Sequence, residues 1–212
     1  MRCQYCHNPD TWHAGGEIMT AGALWERASA YQAYWQPSGG VTLSGGEPML
    51  QMSFTTAFFS LAKKNGAHTA LDTSGQPYRE TPGFLAQFDM LMAATDLVLL
   101  DIKAMDDQLH RRLTGHTNEN ILQMARRLSA MNKEIWIRHV LVPGVTGSES
   151  ELIRLRRFID ALCSVSRVEV LPYHDMGKSK WEALRMAYPL EGVKPPTQEE
   201  IAHAEALLGI RT

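Results

Sequence analysis

The chain has 212 residues, 44% of them apolar and 21% charged, which predicts a globular fold with residues 1–212 in a single domain, and the alternation of elements described below predicts the α/β class. Its formal net charge of −2 argues against a nucleic-acid partner, since such binders usually carry a basic excess. With no membrane-spanning run, no signal peptide and an odd number of cysteines, the sequence predicts a cytoplasmic protein in a reducing compartment, with no membrane partner.

Short β-branched runs alternate with longer helical patterns along the chain. Strands are predicted over residues 41–43, 68–71, 97–100, 135–142 and 168–171. Helices are predicted over about 53–65, from Thr81-Pro82 onward and over about 148–162, where Ser148-Glu149-Ser150-Glu151 predicts a capping box. Strands that alternate with helices imply a parallel sheet with right-handed crossovers.

A compact polar or turn cluster directly follows each predicted strand. In chain order the clusters are Ser44-Gly45-Gly46-Glu47, Asp72-Thr73-Ser74-Gly75, Asp101-Ile102-Lys103, Pro143-Gly144-Val145-Thr146 and Pro172-Tyr173-His174. In a βα barrel the carboxyl ends of all strands converge on one face, where active sites are built. The five clusters therefore predict one shared site.

The motif Cys3-Gln-Tyr-Cys6-His7 places two thiols three residues apart. Such a pair is typical of a metal or redox site, because both sulfurs can reach one centre. The pattern fits haem c attachment, a thioredoxin-like dithiol, half of a zinc site or an iron–sulfur loop, and the last fits the predicted βα fold best. A cluster needs at least a third thiolate, and Cys163 is predicted instead to be a small buried residue at a helix end.

The Gly-Gly-Glu run after the first strand is a candidate binding loop. Gly45 and Gly46 permit close backbone approach and positive φ, so that exposed N–H and C=O groups can meet a ligand. Glu47 can accept hydrogen bonds from an ammonium group. Taken alone, an ordinary βα turn explains the run equally well.

Charged and aromatic side chains end or follow the later strands. Asp72 and Asp101 can bind ribose hydroxyls, an amine or a small cation, or can serve as a helix cap or a structural pair with Lys103. Arg138 lies inside an apolar strand and needs a carboxylate partner from substrate or protein. His174 can stack on a nucleoside or hydrogen-bond to it. Three other histidines are predicted to be structural, namely His68, His110 and His139.

Together these features resemble the radical S-adenosylmethionine superfamily, and within it the activases of pyruvate formate-lyase. The family's cluster motif is C-x-x-x-C-x-x-C with an aromatic residue before the last cysteine, and Cys3, Tyr5 and Cys6 match its second half. The most specific match is the run 171–181, which Gly192-Val193-Lys194-Pro195-Pro196 follows. Further similar segments are Asn8, Asp10-Thr11-Trp12, Ser44-Gly45-Gly46-Glu47, Leu71-Asp72-Thr73, Leu100-Asp101-Ile102-Lys103 and Trp136-Ile137-Arg138.

The resemblance covers residues 1 to about 196 and implies a partial (β/α)6 barrel of the TIM type. The family's first cluster cysteine lies four residues before the second, which would place it two positions upstream of Met1. We therefore expect one cluster cysteine and the first barrel strand to precede this chain. A chain that began at residue 1 would be expected to bind little cluster, to generate no radical and to expose a strand edge.

The resemblance implies a [4Fe–4S] cluster on three cysteines, whose fourth iron binds the amino and carboxylate groups of S-adenosylmethionine. Reductive cleavage would give methionine and a 5′-deoxyadenosyl radical, which takes a hydrogen atom from a glycine of pyruvate formate-lyase and leaves a glycyl radical. Alternatives are an inactive remnant that binds the partner or S-adenosylmethionine without chemistry, and an activase of another glycyl-radical enzyme.

The resemblance also implies site residues and partners, without identifying an acid, base or nucleophile. Cys3 and Cys6 would be cluster ligands, and Asp72, Thr73 and Asp101 could hold a small cation. The residues implied to surround S-adenosylmethionine are Tyr5, Cys6, His7, Gly45, Gly46, Glu47, Asp101, Ile102, Lys103, Arg138 and His174. The implied partners are pyruvate formate-lyase as protein substrate and a flavodoxin- or ferredoxin-like electron donor, with the chain itself a monomer.

Overall fold

The centre of the molecule is a five-stranded parallel sheet whose spatial order follows the chain. The computed structural model describes residues 1–13, 15–35 and 39–210. The strands are β1 (Gly40–Leu43), β2 (His68–Thr73), β3 (Leu97–Asp101), β4 (Glu134–Leu141) and β5 (Val165–Pro172). All five predicted strands are confirmed, as is their parallel pairing.

At least one helix separates each strand from the next. The α-helices in the described ranges are α1 (Ala21–Ser29), α2 (Met52–Lys64), α3 (Pro82–Ala93), α4 (Asp107–Thr114), α5 (Glu119–Ala130), α6 (Glu149–Asp160), α7 (Lys178–Ala183) and α8 (Gln198–Leu208). The predicted helices correspond to α2, α3 and α6 and differ from them by no more than about two residues. None of the described helices combines the length and apolarity that a bilayer crossing requires.

One face of the sheet packs against helices and forms the main apolar core. In β4, burial alternates with the period of a strand, so that Ile135 and Ile137 are fully buried and Leu141 nearly so. They belong to the same apolar cluster as Phe88 of α3 and Leu128 of α5. Full burial of a side chain of this size stabilises the fold by roughly 1.5–3 kcal/mol.

The other face of β4 carries half-buried and polar residues. Trp136 and Arg138 alternate with the core residues, and Arg138 pairs in register with Asp101 of β3 and Glu169 of β5. Paired residues of adjacent strands point to the same face, so these charged side chains share the inner face of the sheet. The inner face leads to the carboxyl ends of the strands, where the sequence predicts the site.

The capping box predicted at the start of α6 is wrong in one half. The Ser148 hydroxyl accepts the N–H of Glu151 at 3.4 Å, as predicted. The Glu151 carboxylate does not return to Ser148 but accepts hydrogen bonds from the backbone of Met105 and Asp106. A tertiary partner has therefore replaced the local one.

The prediction that Cys163 is a small buried residue is also wrong. Cys163 is exposed in the loop before β5, where its N–H donates to the Ser129 hydroxyl at 2.8 Å and its thiol donates to the Ser129 carbonyl at 3.3 Å. The loop lies at the amino edge of the sheet, opposite the carboxyl edge. Cys163 therefore does not supply a third thiolate to the Cys3 and Cys6 pair.

Candidate active site

The loop that carries the two thiols is hydrogen-bonded to the end of α4. The N–H of Arg2 donates to Thr114 O at 3.2 Å, and that of Gln4 donates to Leu113 O at 2.9 Å. The Cys6 N–H donates to Cys3 O at 3.0 Å, which closes a turn between the two cysteines. The chain thus holds its thiol pair through backbone contacts with a neighbouring helix.

The segment after β5 packs on the other side of the same loop. Trp181 of α7 donates its indole N–H to Cys6 O at 2.9 Å, and the rings of His7 and His174 lie 3.9 Å apart. A Cβ atom at Gly177 would come within 2.8 Å of the His7 Cα, so only glycine allows this approach. A second apolar cluster, which includes Cys3, Tyr5 and Trp181, fills the space beneath.

The two thiols differ in exposure. Cys3 is buried and Cys6 is partly buried. Burial raises the pKa of the Cys6 thiol; the N–H of Asn8 opposes the shift and the negative charge of Cys3 adds to it. A bound cation would reverse this balance, because it stabilises thiolates.

A partly buried charge network lies on the inner face beside the thiol loop. Arg138 Nε donates to Asp101 Oδ1 at 2.9 Å, and its guanidinium also forms two hydrogen bonds with the Asp72 carboxylate. Lys103 Nζ donates to Asp101 Oδ2 at 3.1 Å. The predicted carboxylate partner of Arg138 is thus supplied twice by the protein itself.

The carboxylates of the network have pKa values shifted in opposite directions. Burial alone would raise the pKa of Asp101, but the charges of Lys103 and Arg138 hold it below its usual value. For Asp72, burial outweighs the attraction of Arg138 and raises the pKa. Burial would lower the pKa of Lys103, but Asp101 raises it well above its usual value, so Lys103 is a fixed cation.

Tyr5 connects the thiol loop to this network. Its ring faces Lys103, with the ammonium 5.6 Å from the ring centre, and burial raises the pKa of its hydroxyl. Among the described residues, the buried Tyr5 hydroxyl and His174 Nδ1 have no hydrogen-bond partner. Buried polar atoms are normally satisfied, so these two atoms are available to a polar ligand.

The Glu47 carboxylate joins the loops that follow β1 and β2. It accepts hydrogen bonds from Thr73 Oγ1 at 2.6 Å, from Ser74 N at 3.0 Å, from Met49 N at 3.1 Å and from the Ser74 hydroxyl. The predicted acceptor for an ammonium group is therefore already engaged by the protein. Gly45, at φ +127°, leaves open space beside it.

The fourth of the five predicted clusters does not contribute its polar side chain to the site. The polar member of the fourth cluster, Thr146, is fully buried and bonds the backbone of its own turn at Val140 O and Val142 N. Sequence reasoning gave no role to Gly177, Trp181 or Ser74. Trp181 and Gly177 lie inside the run 171–181, the most specific match to the family. That match was the one feature of the sequence that could have pointed to them.

The family model of the radical SAM superfamily matches residues 1–156, a stretch that holds the thiol loop, β1 to β4 and the charge network. The chain belongs to this superfamily. It is 50% identical over 215 residues to the pyruvate formate-lyase-activating enzyme of Streptococcus mutans, covering all of this chain and 82% of that protein. It is 46% identical to the enzyme of the same name from Staphylococcus epidermidis, covering 96% of this chain and 82% of that protein.

Solved radical SAM proteins share the fold. A domain of a pyruvate-formate lyase-activating enzyme from Bacteroides vulgatus is 27% identical, with a TM-score of 0.66 over 81% of this chain and 93% of that one. A radical SAM methyltransferase from Sphaerobacter thermophilus has a TM-score of 0.69 over 98% of this chain and 59% of that one, at 18% identity. The predicted partial TIM-like barrel and the resemblance to the activase family are confirmed, and the chain is a radical SAM enzyme of that family.

Proposed function

We propose that this chain activates pyruvate formate-lyase, with Cys3 and Cys6 holding part of a [4Fe–4S] cluster. The observation that carries the proposal is the position of two thiols beside unpartnered Tyr5 and His174 atoms at the carboxyl edge of a radical SAM fold. When bound, the cluster and S-adenosylmethionine would supply the electron and the 5′-deoxyadenosyl radical that removes a hydrogen atom from a glycine of the partner.

The thiol loop would be held in place from both sides while the ligand binds. Trp181 fixes the Cys6 carbonyl, and Gly177 lets the segment after β5 lie against His7. Both cysteines belong to the second apolar cluster or pack against it, which limits water at the sulfurs. Low access of water and fixed backbone dipoles are the means by which a protein sets the potential of an iron–sulfur site.

The charge network fits a zwitterionic ligand. Lys103 and Arg138 place positive charge, and Asp101 negative charge, along the border of the proposed ligand. In this assignment Tyr5, His7 and His174 border the nucleoside side, and the backbone of Gly45, Gly46 and Ile102 lines the remainder. Glu47 acts by fixing the loop after β1 through its four hydrogen bonds.

A small cation at Asp72, Thr73 and Asp101 is a secondary part of the proposal. Both carboxylates bond Arg138, and the Thr73 hydroxyl donates to Glu47, so a cation would have to displace some of these contacts. In residues 1–13, 15–35 and 39–210, no group of three or more His, Cys, Asp or Glu side chains could hold a metal ion.

The remaining parts of the proposal concern the setting of the reaction. We infer a monomer with residues 1–212 in one domain, in the cytoplasm, that takes its electron from a flavodoxin- or ferredoxin-like donor. The S. mutans and S. epidermidis relatives are named for pyruvate formate-lyase, which supports that protein as the substrate.

The test uses holoenzyme whose cluster is assembled anaerobically on Cys3, Cys6 and the third cysteine that the motif requires. With a reductant, S-adenosylmethionine and pyruvate formate-lyase, we expect one 5′-deoxyadenosine per glycyl radical, the latter counted by electron paramagnetic resonance. Cys6→Ser should abolish both signals, while Cys163→Ser, at the opposite edge, should leave both unchanged. Cluster-loaded holoenzyme that binds S-adenosylmethionine yet forms no glycyl radical would favour the alternative of binding without chemistry.

A further inference from the structure

The loop that follows β3, residues 102–106, is bound by buried polar side chains from three other parts of the chain. His139 of β4 donates from Nδ1 to Ile102 O at 2.8 Å. Asn118, at the start of α5, donates from Nδ2 to Ala104 O at 3.0 Å and to Met105 O at 2.9 Å. Glu151, in the first turn of α6, accepts from Met105 N at 2.8 Å and from Asp106 N at 3.2 Å through the same oxygen.

These three side chains are unusually well buried for their type. His139, Asn118 and Glu151 are only 2%, 4% and 6% exposed. A polar group removed from water costs free energy unless it is hydrogen-bonded, and an apolar residue of similar size would avoid that cost. A fully bonded polar network is favoured where one particular backbone conformation is needed. The network therefore serves to fix the loop rather than to add stability alone.

The residue that depends most on this loop is Lys103. Its side chain is 9% exposed, and Nζ lies 3.1 Å from Asp101 Oδ2 and 5.6 Å from the centre of the Tyr5 ring. A lysine side chain has four rotatable bonds and little intrinsic preference of direction. Its ammonium can reach both neighbours at once only if the backbone on either side of Lys103 is held.

We propose that Glu151, Asn118 and His139 are positioning residues that fix the loop after β3 and thereby hold Lys103 in the S-adenosylmethionine site. The proposal rests on the proposed function, since it takes that site to bind S-adenosylmethionine. It adds residues that lie outside the predicted site and act on it only through the backbone of residues 102–106.

The test compares three variants of the reconstituted holoenzyme. Glu151→Ala removes the acceptor, whereas Glu151→Gln keeps a neutral oxygen that can still accept both N–H groups. Glu149→Ala is the matched control, because Glu149 lies in the same first turn but is exposed and pairs with His203. Amide hydrogen exchange of Met105 and Asp106 and the Kd for S-adenosylmethionine are measured on each.

In Glu151→Ala we expect faster exchange at Met105 and Asp106 and a Kd about tenfold higher, as is typical when a supporting contact is lost. Glu151→Gln should restore most of the affinity, and Glu149→Ala should change neither quantity. Should Glu151→Ala fail to fold, Asn118→Asp carries the test, because it keeps the shape of the side chain but loses both donated hydrogen bonds.

Two outcomes separate this proposal from the proposed function. If unmodified holoenzyme does not bind S-adenosylmethionine, the proposed function is wrong and this proposal with it. If unmodified holoenzyme binds, and folded Glu151→Ala or Asn118→Asp binds equally tightly despite faster exchange, the proposed function stands and the positioning role is wrong.

Discussion

The two faces of β4 show how differently one strand can be used. Toward the helices, Ile135, Ile137 and Leu141 are closed off from water in the apolar core. Toward the inner face, Trp136 and Arg138 are half-buried, and Arg138 spans to carboxylates on two other strands. Successive residues of a strand point to opposite faces, so the two sets alternate along the same eight residues.

The two faces of β4 contribute to different properties, the helix side to stability and the inner side to the proposed binding of a ligand. Apolar burial on the helix side is favourable without further conditions. On the inner side, charges are taken out of water, and their mutual attraction repays that cost only in part. A network of this kind is weak evidence for stability, and its position beside the thiol loop supports the ligand site that we propose there.

The largest effect on folding is therefore expected on the helix side. Ile137→Ala should lower the free energy of unfolding by about 2–5 kcal/mol, because it leaves a cavity in a closely packed core. Urea denaturation followed by circular dichroism measures the loss. Ile153→Ala, at a partly exposed position of α6, is the matched control and should cost much less. A folded Ile137→Ala holoenzyme should still bind S-adenosylmethionine, whereas loss of binding would show that the two faces are coupled.

On the inner side we expect a small effect on stability and a large effect on ligand binding. Arg138→Met should lower the free energy of unfolding by about 2 kcal/mol, since Asp72 and Asp101 each lose a charged partner but remain partly hydrated. The affinity for S-adenosylmethionine should fall far more than in Ile137→Ala, which titration calorimetry can measure. Arg157→Met, on the exposed face of α6, controls for the lost charge. The contrast between the faces is wrong if Arg138→Met costs as much stability as Ile137→Ala while binding persists.

Much of the helix-side architecture could be predicted from the sequence, because apolar periodicity reports burial directly. The run 97–100 is apolar throughout, and the strand predicted there differs from β3 by one residue. Strand β5 begins at Val165, three residues before the predicted strand at 168–171. The sequence did not indicate this start because Ser166 and Arg167 are polar and interrupt the apolar pattern. Arg167 in fact lies over the Trp136 ring, so a tertiary contact accommodates it.

The sequence predicts which residues lie at the site, but not which tertiary hydrogen bonds hold them there. Asp72 and Asp101 could be placed at one edge because parallel strands end together, whereas Arg138, inside its strand, was predicted only to need a carboxylate partner. That Glu151 bonds a loop 45 residues earlier is not written in any local pattern, and the local pattern indicated a capping box instead. A capping box does form at the start of α8, between Thr197 and Glu200, and Glu200 has no such competing partner among the residues that the structure describes.

The smallest expected effect comes from a polar residue away from the inner face. His110 of α4 is fully buried; Nδ1 lies 2.8 Å from His116 O, while Nε2 has no partner in the described part of the chain. A proton on Nε2 would find no acceptor, and burial lowers the pKa of His110 below its ordinary value of 6.5. The folded state thus resists a proton that the unfolded chain accepts.

The sign of the pH dependence follows from that lowered pKa. The contribution of neutral His110 is fully present above pH 6.5 and is lost as the pH falls toward the folded pKa, so unfolding becomes easier from pH 7 to 5. His110→Asn keeps a donor near the position of Nδ1 but cannot bind the proton, so its free energy of unfolding should fall less steeply over this range. Urea titrations at several pH values measure the slope, with His68→Asn at the exposed start of β2 as control. An unchanged slope in His110→Asn would mean that the folded protein accepts a proton on Nε2 at no cost in free energy. Burial of a polar group outside the inner face would then carry no pH-dependent penalty.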